Sequence, residues 1–112
     1  MDYVSFATAI KLKQNGFKDP AVKPGQCWAN EDGERIRYIG HFTHRSRMSF
    51  WGWVFCPNAT DILREMRGCS LAFIQGDCWG VFTVGGKKMI GFHPDNPAEA
   101  CADAWLSLHK PQ

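Results

Sequence analysis

Ser70-Leu71-Ala72-Phe73-Ile74-Gln75-Gly76-Asp77-Cys78-Trp79-Gly80-Val81-Phe82-Thr83-Val84-Gly85-Gly86-Lys87-Lys88-Met89-Ile90-Gly91-Phe92 is the stretch that decides the fold. Apolar, strand-favouring runs alternate with glycine-led breaks, the pattern of a three-stranded meander. Strands are predicted over 70–75, 79–84 and 88–92. Gly76-Asp77 turns the chain once, and Gly85-Gly86 reads as a two-residue hairpin. Asn96-Pro97-Ala98-Glu99 follows, a helix start written almost in full. Asn96 can cap, Pro97 suits the first helical position, and Glu99 can reach back to the cap amide. Cys101, Ala104, Trp105 and Leu108 then recur at helical spacing, which predicts a helix from Pro97 to about His109. Leu106 lies off that stripe and is a candidate protein contact.

Working toward the N-terminus, Pro57 stops an apolar run. Asn58 and Asp61 stand as an N-cap and its third-position partner. Ala59, Ile62, Leu63 and Met66 form the stripe of a central helix that Gly68 closes. The run Phe50-Trp51-Gly52-Trp53-Val54-Phe55 is apolar at every side-chain-bearing position, as a central strand covered on both faces would be. Thr43 to Ser49 is polar and basic and reads as a loop. Arg35 to Phe42 is predicted as a half-exposed strand, turned at Asp32-Gly33 from a short strand at Cys27-Trp28-Ala29. Pro20 and Pro24 mark an extended loop. Ser5 caps a first helix whose apolar face is Phe6, Ala9, Ile10 and Leu12, ended by Asn15-Gly16 with Phe17 folding back.

The order helix, strands, helix, strands, helix predicts an α+β fold. It would be an antiparallel sheet of about five to six strands with three short helices packed mostly on one face. Residues 1–112 are read as a single domain. Apolar residues make up 45% of the chain and aromatic ones 13%, with five Trp and eight Phe, enough to build a core without disulfides or a metal. A net charge of +2 is too mild to imply nucleic acid on its own. The five cysteines are odd in number and well separated, and the opening Met1-Asp2-Tyr3 has no apolar core region, so free thiols in the cytoplasm are expected. No run approaches the ~20 apolar residues a membrane helix needs, and no membrane association is expected.

Three segments together carry a resemblance: Ala9-Ile10-Lys11-Leu12-Lys13-Gln14-Asn15-Gly16-Phe17, Pro57-Asn58-Ala59-Thr60-Asp61-Ile62-Leu63-Arg64, and Asn96-Pro97-Ala98-Glu99-Ala100. The pattern resembles small phage and prophage proteins of gut bacteria, a family of unknown function. There an early helix ends in Gly-Phe, a central helix follows a Pro-led turn, and a last helix begins with Asn-Pro. The resemblance implies a small intracellular accessory protein of mobile-element origin. It transfers no catalytic residue.

Four places carry residue types capable of chemistry. His41-x-x-His44 with Cys56 or Cys27 has zinc-ligand residue types but lacks any Cys-x-x-Cys pair, and no metal or other cofactor is expected. Cys78, beside Asp77, would need His41 or His93 near it to act as a nucleophile. Gly85-Gly86-Lys87-Lys88 leads into a strand and lacks P-loop spacing. Arg35, Arg37, Arg45 and Arg47, followed by Trp51 and Trp53, combine phosphate-pairing guanidinium groups with stackable rings. No catalytic set emerges. The leading expectation is a non-enzymatic protein-interaction module with an unknown protein partner. The alternatives are a nucleic-acid-binding protein using the stretch 35–53 and a Cys/His-dependent enzyme.

Overall fold

A computed structural model describes residues 3–18, 20, 26–32, 34–37, 53–74, 78–86 and 88–109. Six strands and three α-helices lie within these residues: α1 (Phe6–Gln14), β1 (Cys27–Ala29), β2 (Arg35–Arg37), β3 (Val54–Cys56), α2 (Ala59–Leu63), β4 (Ser70–Ile74), β5 (Cys78–Phe82), β6 (Met89–His93) and α3 (Pro97–Leu108). All strand pairing is antiparallel, so the α+β class holds. The strands form two three-stranded sheets, ordered β2-β1-β3 and β4-β5-β6, where one larger sheet was expected. The chain divides accordingly into two compact units, Ser5–Cys56 and Met1–Val4 with Pro57–Gln112.

In the first unit, α1 starts where Ser5 Oγ accepts the Thr8 N–H at 3.2 Å. It stops at Gly16, whose φ of +99° only glycine adopts at low cost. The Gly16 N–H then reaches the Lys13 carbonyl at 3.2 Å, and the Phe17 N–H reaches Leu12 O at 2.9 Å. These two bonds reverse the chain and satisfy carbonyls the helix leaves open. Ala9 and Leu12 are buried, and α1 packs against β3. Among the described residues β1 is the central strand and β3 lies beside it; of the Trp-rich run 50–55, only Trp53, Val54 and Phe55 are described. All three β3 residues are nevertheless buried, as its apolar composition requires. Trp28 and Phe55 are direct cross-strand partners with ring centroids 5.6 Å apart, and Phe17 and Trp53 pack against them. Asn30 holds the β1–β2 turn by accepting the Asp32 and Glu34 N–H groups at 3.1 and 3.0 Å.

In the second unit, the reciprocal cap of α2 forms as predicted. Asn58 Oδ1 accepts the Asp61 N–H at 2.9 Å, and Asp61 Oδ2 accepts the Asn58 N–H at 3.1 Å. The helix is a short one, giving way after Leu63 to turns that still bury Met66. β4, β5 and β6 make the predicted meander. The second connection differs from the two-residue hairpin: β5 stops at Phe82, a 3₁₀ turn covers Val84–Gly86, and the Thr83 N–H closes the loop on Lys88 O at 2.9 Å. Two consecutive positive φ values, at Gly85 and Gly86, explain why glycines stand there.

α3 packs on β6 and β5, and α2 packs on α3. Asn96 Oδ1 caps α3 by accepting the Ala98 and Glu99 N–H groups at 2.8 and 3.3 Å. The cap amide itself, assigned from the sequence to Glu99, donates to His93 Nδ1 at 2.9 Å. Ala98, Ala100, Cys101, Ala102, Ala104 and Trp105 are buried, a wider face than a single stripe. Leu108, placed on the stripe from its spacing, is 52% exposed in the last turn.

Candidate protein-contact surface

The faces of the β4-β5-β6 sheet follow from its register. Leu71 and Gly91 are the partners of Val81 on its two sides, so the three share one face, and Phe73, Trp79 and His93 continue it two residues along. A Cβ built on Gly91 would meet the backbone of Ala100 and Ala104, so this is the face that α3 covers. Val81 at its centre is fully buried. Small side chains on both partners allow the close approach: glycine on the strand, alanines on the helix.

The opposite face carries Ala72, Ile74, Cys78, Gly80, Phe82, Met89 and Phe92. Met89 joins it through its pairing with Phe82, at a bulge that places one extra residue in β6. Around Gly80 the side chains lean inward, with Ile74 Cδ1 and Met89 Sδ each 3.1 Å, and Phe82 Cε2 3.2 Å, from where a Cβ would sit. Neither helix of this unit packs here, since α3 lies on the other face and α2 packs on α3. Phe92 is 55% exposed and Met89 44%, and Ala72 is exposed beside them. No charged side chain occurs in β4 or β5. At the β4 end of the helix-covered face, Phe73 is also 54% exposed, its ring edge-on to Trp79 at 5.1 Å. Buried strand alternation predicts an apolar face on each side of such a meander, but not which one a helix will cover.

The predicted site residues that are described belong to other elements. Arg35 is exposed on β2, opposite Ala29, and Arg37 occupies the alternate position opposite Cys27. Trp53 is half-buried against Trp28 and Phe55, and so contributes to a core cluster. Arg45, Arg47 and Trp51 lie outside the described residues, as do His41 and His44. Leu106 is half-buried on α3. The two thiols considered as ligands, Cys27 and Cys56, are buried cross-strand partners of each other. Among the described residues no three His, Cys, Asp or Glu side chains gather as a metal site would need.

Cys78 and His93 are not brought together. His93 is the partner of Trp79, which places it on the face opposite Cys78. Its Nδ1 is already an acceptor for the Asp95 and Asn96 N–H groups, at 3.2 and 2.9 Å. Cys101, buried on α3, has its thiol pushed up to about 12 by desolvation and stays protonated at neutral pH. At the other end of α3, His109 stacks on Trp105 at 4.0 Å, with Nδ1 2.9 Å from the Trp105 carbonyl. That arrangement serves as a C-cap.

No helix of the described residues is long and apolar enough to cross a membrane. No protein-family model matches the chain, and neither a curated protein nor a solved structure shows significant similarity to it.

Proposed function

We propose that this chain is a non-enzymatic protein-interaction module whose contact surface is the helix-free face of the β4-β5-β6 sheet. One observation carries the reading: Phe92 and Met89 stand exposed together on an uncharged sheet face that neither α2 nor α3 covers. Exposed apolar side chains grouped on one face, as against scattered singly, mark contact surfaces. Large aromatic and methionine side chains are also those enriched at the centres of interfaces. The resemblance to phage and prophage proteins supports a mobile-element setting for such a module.

The test is site-specific photocrosslinking in cells. With p-benzoylphenylalanine at Phe92, a discrete crosslinked protein is expected, whereas the same probe at exposed Lys11 on α1 gives none. The paired substitution Phe92→Ser and Met89→Ser should abolish the complex while leaving the circular dichroism spectrum intact, because about half of each side chain is already in water. No crosslink at Phe92, or equal crosslinking at Lys11, would refute the reading.

A nucleic-acid-binding role has one observation in its favour, the alternate placement of Arg35 and Arg37 on the terminal strand β2. It requires oligonucleotide binding that weakens steeply with salt and is lost when both arginines become alanine.

A further inference from the structure

The two sheets present four edge strands among the described residues, and they are not alike. β2 carries Arg35 and Arg37, charges of the kind that keep an edge from pairing. β3 is buried along its length. β6 is interrupted by the bulge opposite Phe82, and its Phe92 N–H is taken by Asp103 Oδ2 of α3 at 3.2 Å. β4 has none of these devices. Ser70-Leu71-Ala72-Phe73-Ile74 contains no charge, no proline and no bulge, and among the described residues it pairs on one side only, with β5. Ser70, Ala72 and Phe73 are exposed. An edge of this kind is a template for another extended strand, because the outward N–H and C=O groups of alternate residues need partners that only extended backbone supplies in register.

We infer that β4 pairs antiparallel with β4 of a second copy of this chain, about a two-fold axis at Ala72. The strand is complementary to itself in that register. Ala72 meets its own counterpart, small against small, and Leu71 and Phe73 meet each other twice on the face that α3 only partly covers. Ser70 and Ile74 meet twice on the opposite face. Directly opposed like charges are what ordinarily penalise self-pairing, and none occurs in the five residues. The product is a continuous six-stranded sheet, β6-β5-β4-β4-β5-β6, an isologous closed dimer that leaves no β4 edge exposed. The exposed Phe73 becomes part of a cross-strand aromatic–aliphatic pair. Five residues per copy make a narrow seam at the low end of interface sizes, so the dimer is weak and concentration-dependent. This inference rests on the reading of the chain as an interaction module, and it names one partner and its mode.

Sedimentation equilibrium of the whole chain, from about micromolar to about millimolar concentration, tests it. The wild type should pass from monomer to dimer across that range. Ala72→Lys and Ala72→Glu each place like charges face to face across the axis, and each should weaken association by about tenfold or more. An equimolar mixture of the two should recover it, which a generic loss of fold would not do. In parallel, hydrogen exchange of the wild type should show the amides of residues 70–74 gaining protection with concentration. A wild type that stays monomeric overturns the inference, as does a dimer indifferent to both substitutions or β4 exchange that does not change with concentration. Protection of β4 that arises only when a different protein is added also overturns it, assigning the edge to that partner. A Phe92 crosslink to another protein would survive any of these failures, so the two readings are separable.

Discussion

Gly91→Ala is the substitution on which the packing of the second unit turns. The added methyl points at α3, toward the Ala104 amide nitrogen, with Ala100 O 2.7 Å and Ala104 Cα 2.8 Å away. Ordinary contact begins near ~3.5 Å, so the helix must retreat by roughly 0.7 Å or more. A gap of that size forfeits about a quarter to a half of each contact it opens, and these are backbone atoms of a helix, which cannot swing aside as a side-chain tip can. Overpacking of this kind costs about 1–3 kcal/mol, and the rigid neighbours place it at the upper end. Replacing glycine by alanine returns about 0.4–1 kcal/mol through the unfolded chain. The net is a loss of about 2 kcal/mol, equivalent to a urea midpoint lower by ~1 M. Gly80→Ala is the matched control on the opposite face. There the methyl meets only the ends of Ile74, Met89 and Phe82, and Met89 is 44% exposed and free to move. Urea denaturation followed by circular dichroism should give Gly80→Ala a midpoint close to the wild type. A Gly91→Ala midpoint at or above wild type, or a Gly80→Ala midpoint as low as that of Gly91→Ala, would refute the assignment of α3 to the Gly91 face.

Two further perturbations follow from single residues. Asn96→Ala removes the cap bonds to Ala98 and Glu99 and the 3.0 Å bond from Nδ2 to the Tyr3 carbonyl, and should cost about 1–2 kcal/mol in thermal or urea unfolding; Asn96→Asp, which keeps the cap but not the donor, should fall between. Burial raises the Cys101 thiol from 9.0 to about 12, so above pH 9 the unfolded chain loses a proton that the folded chain retains, and stability should fall with rising pH from 9 toward 12. Cys101→Ala should flatten that decline, and an unchanged pH slope would contradict the burial argument.

The parts of the fold legible in the sequence are those written in local chemistry. Ser5, Asn58 and Asn96 each cap the helix predicted for them, because a cap needs only its own side chain and amides two or three residues ahead. The Gly16-Phe17 stop is local in the same way. What required distant partners was not legible. The meander strands were placed, yet their separation from the β1–β3 sheet depends on pairings that alternation does not encode. Tyr3 is tied to Asn96 at the start of α3, and the Val4 N–H to Pro57 O ahead of α2 at 3.1 Å, contacts for which neither residue carries a signal. His93 was weighed as a catalytic base and serves instead as the acceptor that holds the turn into α3. The sequence clue was available: an imidazole three residues before a helix cap can accept the cap amide, as Asp or Ser would. The candidate surface was not legible because the sequence places 88–92 as a strand without saying which face a helix covers, and only the placement of α3 leaves Met89 and Phe92 outside.

That placement is a matter of supply. Three strands offer two faces, and both faces of this sheet are apolar, since Leu71, Val81 and Trp79 alternate with Ile74, Phe82 and Phe92. One long helix covers one face. To do so at the distance Gly91 permits, it turns Ala100 and Ala104 toward the strand, side chains too short to reach beyond it. The other helix of the unit has five residues and packs on α3. Nothing else in the unit's described helices is left for the second face, and leaving it in water has a standing cost, since each exposed aromatic forgoes the ~1.5–3 kcal/mol that burial would supply. Replacing Met89 and Phe92 by polar residues would reduce that cost without touching the buried face under α3, since both lie on the opposite face. Capping and packing of the unit give no reason for their presence on this face, and the proposed contact surface supplies one.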